Sequence, residues 1–267
     1  MRFNAIKIGT ARLVQALLMG AYRVAVASGS LSTRWGRAAF EWAYMIYKNR
    51  LEATTVDGLR TVITPGTSVI DVGANIGFFT LRFGHWITGS AKVFALEPEP
   101  ANFHRLTRRI ARAGLIDRVE AIRAAAAETS GELRLAVDPV HPGNHKLATS
   151  GIPVQSIAID ALMAKHDWPR VALLKIDVQG AEQRVLAGAA ETLRRFRPAV
   201  FIEIDRDSDG NALLQQIIDL GYQPHVLRRS SPPEAVTPER VRQLVAIRGY
   251  HDFLFLSAGS TDDLVLR

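Results

Sequence analysis

The sequence predicts an α/β protein with a doubly wound, mostly parallel seven-stranded sheet and an N-terminal helical extension. From about Leu51, short apolar runs bounded by turn residues alternate with segments of helical periodicity, the pattern of a parallel sheet with helical crossovers. The chain has 267 residues, of which 48% are hydrophobic and 22% are charged. This length and composition suffice to cover both faces of a buried sheet.

Two parts are predicted along the chain: a helical extension over residues 1–50 and the sheet domain over residues 51–267. The extension contains the apolar segment Leu13–Tyr22, which is too short to span a bilayer and is interrupted by Gln15. An amphipathic helix is therefore expected there. Docking on the sheet domain, contact with a membrane interface and a cleaved signal peptide all stay open as its role.

Seven apolar runs form the predicted sheet, with helices between them. The strands are expected at Val69–Val72, Lys92–Leu96, Val119–Ala125, Val171–Asp177, Ala199–Ile204, Gln223–Leu227 and Phe253–Ser257, and the helices at Gly77–Trp86, Pro100–Ala113, Ala181–Phe196 and Gly210–Leu220. Irregular or edge strands are expected at Glu132–Val137 and Val154–Ile159, and a small hairpin ends at Thr61–Thr64. Ligands of such sheets bind beyond the carboxyl ends of the strands.

The charge pattern restricts the partners and the chemistry. The net charge of +7 favours anionic partners in general, but the arginines are dispersed over predicted helices, which disfavours nucleic acid. The chain has no cysteine, which excludes disulfides, thiolate metal sites and a cysteine nucleophile. Histidine and carboxylate spacings match none of the usual metal-ligand patterns, so no metal site is predicted.

The first candidate site is a glycine-containing turn that follows a buried strand. The strand ends near Asp71, and the turn leads through Gly73, Asn75 and Gly77 into a helix. Glycine lets the backbone approach a ligand closely, and the first N–H groups of the helix suit an anionic group. A packing turn without any ligand has the same pattern, so this motif alone does not decide between the two.

Glu97 adds the second part of this site. It ends the next strand, 20 residues after Gly77, where a carboxylate can accept hydrogen bonds from both ribose hydroxyls of an adenosine ligand. A dinucleotide fingerprint would have glycine at position 75, which is asparagine here. The charge of Asp71 disfavours phosphate and suits the ammonium group of S-adenosylmethionine. NAD is the alternative cofactor.

Charged residues in an otherwise apolar strand form the third candidate site, whose candidate catalytic residues are Lys175, Asp177 and Glu203. Lys175 and Asp177 share one face of that strand, and burying them without partners would be costly. Glu203 on the next strand is a suitable partner. The hypothesis is that Lys175 pairs with Glu203, which leaves Asp177 to face the cofactor sulfonium or the substrate. A purely structural ion-pair network is the alternative.

A polar loop over residues 138–149 is the predicted cap on the substrate. It contains His141 and His145. His145 or Asp177 can serve as general base for a hydroxyl group, and a solvated loop histidine without a catalytic role is the alternative.

Four motifs in this order and spacing resemble the FkbM-type methyltransferases: DVGANIGFFT, ALEPEPANFHRL, LLKIDVQGAEQRVLAGA and RPAVFIEI. The resemblance covers about Thr54 to Ser257 and implies a class I, Rossmann-like, S-adenosylmethionine-dependent enzyme that methylates hydroxyl oxygens. It implies cofactor contacts at Asp71, Gly73, Asn75, Gly77 and Glu97, with Asp177 at the end of the fourth strand. Gln179 stands where the family commonly has glutamate, which removes one carboxylate from the expected site.

The expected function is methyl transfer from S-adenosylmethionine to a hydroxyl of a small molecule, a glycan or a lipid-linked acceptor. The alternatives are an NAD-dependent oxidoreductase and a basic RNA-binding methyltransferase. A cytoplasmic location is expected, with residues 1–50 as the segment that would contact a membrane.

Overall fold

A computed structural model describes residues 56–137, 145–206, 208–228 and 231–257. Nearly all of them belong to the second of two units of the chain, Gly58–Arg267. The helical extension predicted for residues 1–50 lies outside the described residues, as does His141.

The described residues form twelve strands and seven α-helices. The strands are β1 (Ser68–Val72), β2 (Val93–Leu96), β3 (Val119–Ile122), β4 (Ala125–Ala126), β5 (Gly131–Ala136), β6 (Lys146–Ala148), β7 (Ile152–Ile157), β8 (Val171–Ile176), β9 (Ala199–Asp205), β10 (Tyr222–Arg228), β11 (Ser231–Ala235) and β12 (Tyr250–Ser257). The helices are α1 (Phe78–Trp86), α2 (Pro100–Arg112), α3 (Ile159–Lys165), α4 (Glu182–Ala187), α5 (Ala190–Phe196), α6 (Ser208–Asp219) and α7 (Pro238–Arg248). None of these helices is long and apolar enough to cross a membrane.

The principal sheet has the strand order β11-β10-β12-β9-β8-β1-β2-β3. The five strands from β9 to β3 in this order are parallel, whereas β12, β10 and β11 pair antiparallel. Each of the seven predicted strands overlaps a strand of this sheet, and the α/β class is confirmed. The strand predicted at Val119–Ala125 ends at Ile122, and Ala125 belongs to β4 outside this sheet. The predicted number of strands is wrong by one, because β11 adds an eighth strand at the edge. Its sequence, SPPEA, has two prolines, which sheets accept at an edge but not in the centre.

A second, four-stranded sheet has the order β4-β7-β5-β6. Strand β5 pairs antiparallel with both β6 and β7, and a small cluster of Ala125, Leu135 and Val154 covers it. The two irregular strands predicted from the sequence therefore pair with each other, within a sheet of their own.

Helices cover the principal sheet on both faces. All five residues of β1 are buried, as expected for a central parallel strand. One large apolar cluster joins the sheet to residues of α3 to α7, such as Leu162 and Leu193. Buried residues of α1 and α2, such as Phe83 and Leu106, lie outside that cluster. This division is expected when crossovers run outward from the centre in opposite directions.

Two local predictions are wrong. Asp57–Val62 form a 3-10 helix, not the hairpin that was expected to end at Thr61–Thr64. The helix predicted at Ala181–Phe196 is divided into α4 and α5, which meet at Gly188. A Cβ atom at Gly188 would lie 2.0 Å from the carbonyl oxygen of Ala127, so only glycine lets the chain pass the neighbouring backbone this closely.

Candidate active site at the carboxyl edge of the sheet

Four parallel strands, β9, β8, β1 and β2, end together at one edge of the principal sheet. Val72 is in register with Leu96 on one side and with Ile176 on the other. The predicted site residues at or just beyond these strand ends are Gly73, Glu97, Asp177 and Glu203. The structure therefore brings these four residues to one edge of the sheet.

The turn after β1 takes its shape from three residues with left-handed backbone. Gly73, Asn75 and Gly77 have φ angles of 74°, 48° and 89°. Asparagine is among the few residues with a side chain that tolerate this conformation, which gives a structural reason for asparagine at position 75. A Cβ at Gly73 would lie 2.0 Å from the carbonyl oxygen of Asp177. Glycine at 73 is thus required by the close approach of the chain just after β8, which is the packing reason that the sequence left open beside ligand binding.

Glu97 lies against this turn and is only 4% exposed. Its Oε2 accepts a hydrogen bond from the backbone N–H of Asn75 at 2.8 Å, and its Oε1 accepts one from the N–H of Glu99 at 3.0 Å. Burial raises the pKa of Glu97 to about 7, against the lowering effect of these two hydrogen bonds. The carboxyl group is therefore fixed in orientation and changes its charge near neutral pH.

Lys175 pairs with Asp71, not with Glu203. Its Nζ lies 3.0 Å from Asp71 Oδ1, and both side chains are almost completely buried. The predicted partner was wrong because, in the register between β8 and β1, Lys175 is directly opposite Asp71. Thr80 Oγ1 donates to Asp71 Oδ2 at 2.6 Å. Asp71 therefore supports the turn from within the sheet, and its contact with a cofactor ammonium, directly or through water, stays a prediction.

Asp177 is an exposed carboxylate at this edge. Its side chain is 43% exposed, and its Oδ2 lies 3.6 Å from Lys175 Nζ. Its backbone N–H donates to the carbonyl oxygen of Val72 at 3.1 Å, which holds the start of the loop after β8 against the end of β1. A carboxylate is thus available beside the turn, and its approach to the cofactor sulfonium or the substrate stays a prediction.

Glu203 lies among other carboxylates on the far side of β8. Burial raises its pKa to about 8, and the negative charges of Asp252, Asp177, Asp205 and Glu182 add to this effect. A carboxyl group with this pKa can accept a proton from a hydroxyl group in slightly alkaline solution. No group of three or more side chains suited to a metal ion occurs among residues 56–137, 145–206, 208–228 and 231–257.

His145 lies on the opposite side of the edge from Glu203. Its Nε2 is 3.5 Å from Nδ2 of Asn102, a buried residue in the first turn of α2, close to Glu97 in the chain. In the sheet order, β2 and β9 are separated by β1 and β8. The structure therefore brings His145 to the Glu97 side and does not group it with Asp177 and Glu203.

Three further residues support the site and were not identified from the sequence. Glu99 caps α2 by accepting from the N–H groups of Ala101 and Asn102. Arg109 Nη1 donates to the carbonyl oxygen of Ile76 at 3.0 Å, which ties α2 to the turn, and Thr80 holds Asp71 as described. The acidic residue before Pro100 was a helix-start signal that could have identified Glu99. The other two contacts depend on tertiary packing.

The chain matches the family model described as Methyltransferase FkbM domain over residues 71–250. It is 33% identical over 141 residues to the hexuronic acid methyltransferase AglP of Haloferax volcanii, which covers 52% of this chain and 56% of that protein. It is 26% identical over 177 residues to the 2-O-methyltransferase NoeI of Sinorhizobium fredii, covering 58% of this chain and 71% of the relative.

A third relative is the 31-O-demethyl-FK506 methyltransferase FkbM of Streptomyces tacrolimicus, with 29% identity over 163 residues, 48% of this chain and 62% of that protein. A crystal structure of methyltransferase FkbM from Methylobacillus flagellatus aligns with a TM-score of 0.45 and 16% identity, over 81% of this chain and 54% of the other. The chain spans little more than half the length of AglP. The family match begins at Asp71 and includes Glu97, Lys175, Asp177 and Glu203, and the chain belongs to the FkbM methyltransferase domain family.

Proposed function

We propose that this chain transfers a methyl group from S-adenosylmethionine to a hydroxyl oxygen of a small-molecule or glycan acceptor. Its place in the FkbM methyltransferase domain family supports the reaction class. The names of two relatives, a hexuronic acid methyltransferase and a 2-O-methyltransferase, support a hydroxyl-bearing acceptor such as a sugar.

One hydrogen bond carries the cofactor assignment. The backbone N–H of Asn75, within the left-handed turn, donates to Glu97 Oε2 at 2.8 Å. This bond joins the two features that suggested a nucleoside cofactor, although 22 residues separate them in the chain. The carboxyl group is thereby oriented at the crevice beyond adjacent parallel strands, where α/β sheets bind nucleotides.

The residues present suit S-adenosylmethionine. Each oxygen of Glu97 accepts one backbone hydrogen bond, and a carboxylate oxygen has a second lone pair that can accept from a ribose hydroxyl. Helix α1 begins after Gly77, which has no side chain to cap it, so the N–H groups of the first turn can bind the cofactor carboxylate. Asp177 supplies a negative charge for the positively charged part of the cofactor.

The reaction requires the protein to align the acceptor hydroxyl with the methyl group of the cofactor and to remove one proton. S-adenosylmethionine supplies a methyl group on a positively charged sulfur, which is already activated for transfer. Glu203 is the proposed general base, because it lies beside Asp177 at the same edge and its pKa is about 8. Its ionised carboxylate takes the proton that leaves the acceptor hydroxyl. His145, on the Glu97 side, is proposed as part of the wall around the nucleoside.

Methyl transfer to identified acceptors tests this function. The full chain is incubated with methyl-labelled S-adenosylmethionine and with neutral sugars, hexuronic acids, lipid-linked sugars and RNA as separate acceptors. The proposal predicts label on an oxygen of a hydroxylated acceptor. Label on RNA alone, or no transfer to any hydroxyl by folded protein that binds the cofactor, would contradict it. Membrane contact through residues 1–50 is a separate prediction.

A further inference from the structure

We infer that Lys175 is a positioning residue that holds the turn after β1 and the start of the loop after β8 in a single arrangement, and so sets the affinity for the cofactor. The inference rests on the proposed function. It assigns Lys175 no part in proton transfer, in contrast to its candidate role as a catalytic residue.

The ammonium group of Lys175 contacts both sides of the site. Nζ donates to the carbonyl oxygens of Val72 at 3.2 Å and Gly73 at 2.9 Å, the last residue of β1 and the first residue of the turn. It lies 3.0 Å from Asp71 Oδ1 and 3.6 Å from Asp177 Oδ2. One charged group thus links a strand end, a turn and an exposed carboxylate at the edge.

The burial of Lys175 indicates that its positive charge has a structural role. The Lys175 side chain is 1% exposed, and its Nζ lies 4.9 Å from the ring centroid of Phe79. An ammonium group can be kept in such a place only by close partners, because desolvation of a charge costs several kcal/mol. Asp71 Oδ1 accepts no hydrogen bond from the described residues, so the nearby ammonium supplies its counter-charge. Removal of Lys175 would leave that carboxylate buried without this compensation.

The turn is held from two sides. Lys175 binds the carbonyl oxygen of Gly73, and Glu97 accepts from the N–H of Asn75, two residues further on. Loss of the ammonium frees the first of these attachments and leaves the second in place. The N–H groups of Gly73 and Ala74 would still donate to the carbonyl oxygen of Leu96, but the turn would be held less firmly at its first residue. The N–H groups after Gly77 and the carboxylate of Glu97 would then be less well fixed relative to each other. Cofactor affinity should fall even though neither group is altered.

The direct test compares Lys175→Met with Lys92→Met. Lys92 precedes β2, at the opposite end from the site, and its Nζ donates to the carbonyl oxygen of Asp117 at the surface, so it controls for the loss of one positive charge. Lys175→Met should raise the Kd of S-adenosylmethionine roughly 10- to 100-fold, the range expected when binding groups are slightly misplaced. Lys92→Met should leave it unchanged. The pH dependence of kcat at saturating cofactor should keep its position in both variants.

A chemical rescue separates positioning from loss of folding. The natural chain has no cysteine, so Lys175→Cys can be aminoethylated in denaturant at a single position, which restores an ammonium group on a side chain of lysine length. After refolding, the aminoethylated protein should regain cofactor affinity, while the unmodified Cys variant should not. If Lys175→Met does not fold, the comparison of the aminoethylated and unmodified Cys proteins tests the inference instead. Thr80→Val gives a second test, because it should also weaken cofactor binding, but by less than Lys175→Met.

Three results would overturn the inference while the proposed function stands: normal cofactor affinity in folded Lys175→Met, no difference between the aminoethylated and unmodified Cys proteins, or loss of the pH dependence of kcat in Lys175→Met. The last would assign Lys175 to proton transfer. Failure of the unaltered chain to bind S-adenosylmethionine would contradict the proposed function itself.

Discussion

At the scale of single residues, the buried carboxyl group of Glu97 and the half-buried one of Glu203 determine how the site should respond to pH. Glu97 has a pKa of about 7 and Glu203 a pKa of about 8, in both cases chiefly because burial disfavours the charged form. The proposed roles of both residues need the ionised carboxylate. Cofactor affinity should therefore follow the ionisation of Glu97 and kcat that of Glu203, since the two groups lie at the ends of different strands.

Cofactor affinity should increase as the pH rises from 6 to 8. Hydroxyl donors favour the ionised form of Glu97, so binding lowers its pKa, and affinity changes by up to about tenfold per pH unit below pH 7. Glu97→Gln should bind S-adenosylmethionine more weakly and with no such pH dependence. The exposed Glu132→Gln serves as the matched control and should behave as the unaltered protein. Calorimetric titrations across this pH range check the prediction, and an affinity that falls as the pH rises would refute it.

Glu203→Gln should lose activity and gain stability in alkaline solution. Removal of a general base lowers kcat by about 10²- to 10⁴-fold, and the rise of kcat through pH 8 should disappear. Because the folded-state pKa of Glu203 is raised, the folded state favours its neutral form. The resulting stabilisation is complete below the unfolded pKa of about 4.5 and is lost as the pH rises through about 8.

The amide that Glu203→Gln introduces imitates the neutral carboxyl group, so the variant should have a higher free energy of unfolding than the unaltered protein at pH 9 and a similar one at pH 5. Denaturation curves at the two pH values measure this. A variant that keeps its activity, or one that is less stable at pH 9, would exclude Glu203 as a half-buried base.

At the scale of elements, the apolar strands could be predicted from the sequence, whereas the polar edge strand and the break within a helix could not. The runs that became β1, β2, β8 and β9 are apolar and bounded by turn residues, so their periodicity identified them. Strand β11 has no apolar run, and it forms because β10 offers it an edge. Between α4 and α5 the chain passes close to Ala127 at Gly188, a contact between distant segments that helical periodicity does not encode.

Gly188→Ala should destabilise the fold, because the new Cβ would lie 2.0 Å from a backbone oxygen and one of the two segments must move. A loss of about 2–3 kcal/mol in the free energy of unfolding is expected for overpacking of this kind. Gly131→Ala is the matched control: its Cβ would meet nothing closer than 3.9 Å, and its effect should stay within about 0.5 kcal/mol. Urea denaturation measures both, and equal effects would contradict the requirement for glycine at position 188.

At the scale of the whole molecule, the sequence predicted which strand ends meet but not which side chains pair. Parallel strands with helical crossovers align their carboxyl ends, so the approach of Glu97 to the turn followed from the fold class. The partner of Lys175 depends on the register between β1 and β8, which are about a hundred residues apart, and neither strand alone encodes it. The place of His145 depends on how the second sheet folds back toward α2, which is also a tertiary property.

The central claim is that the turn after β1 and Glu97 together bind S-adenosylmethionine. Titration calorimetry of the full chain with S-adenosylmethionine, with its demethylated product and with NAD tests it most directly, in the unaltered protein and in Glu97→Ala. We predict one bound S-adenosylmethionine per chain, competition by the demethylated product, no binding of NAD, and an affinity at least about tenfold lower in Glu97→Ala, as expected for loss of hydrogen bonds to a charged group. No binding of S-adenosylmethionine by folded protein, or unchanged affinity in Glu97→Ala, would contradict the claim.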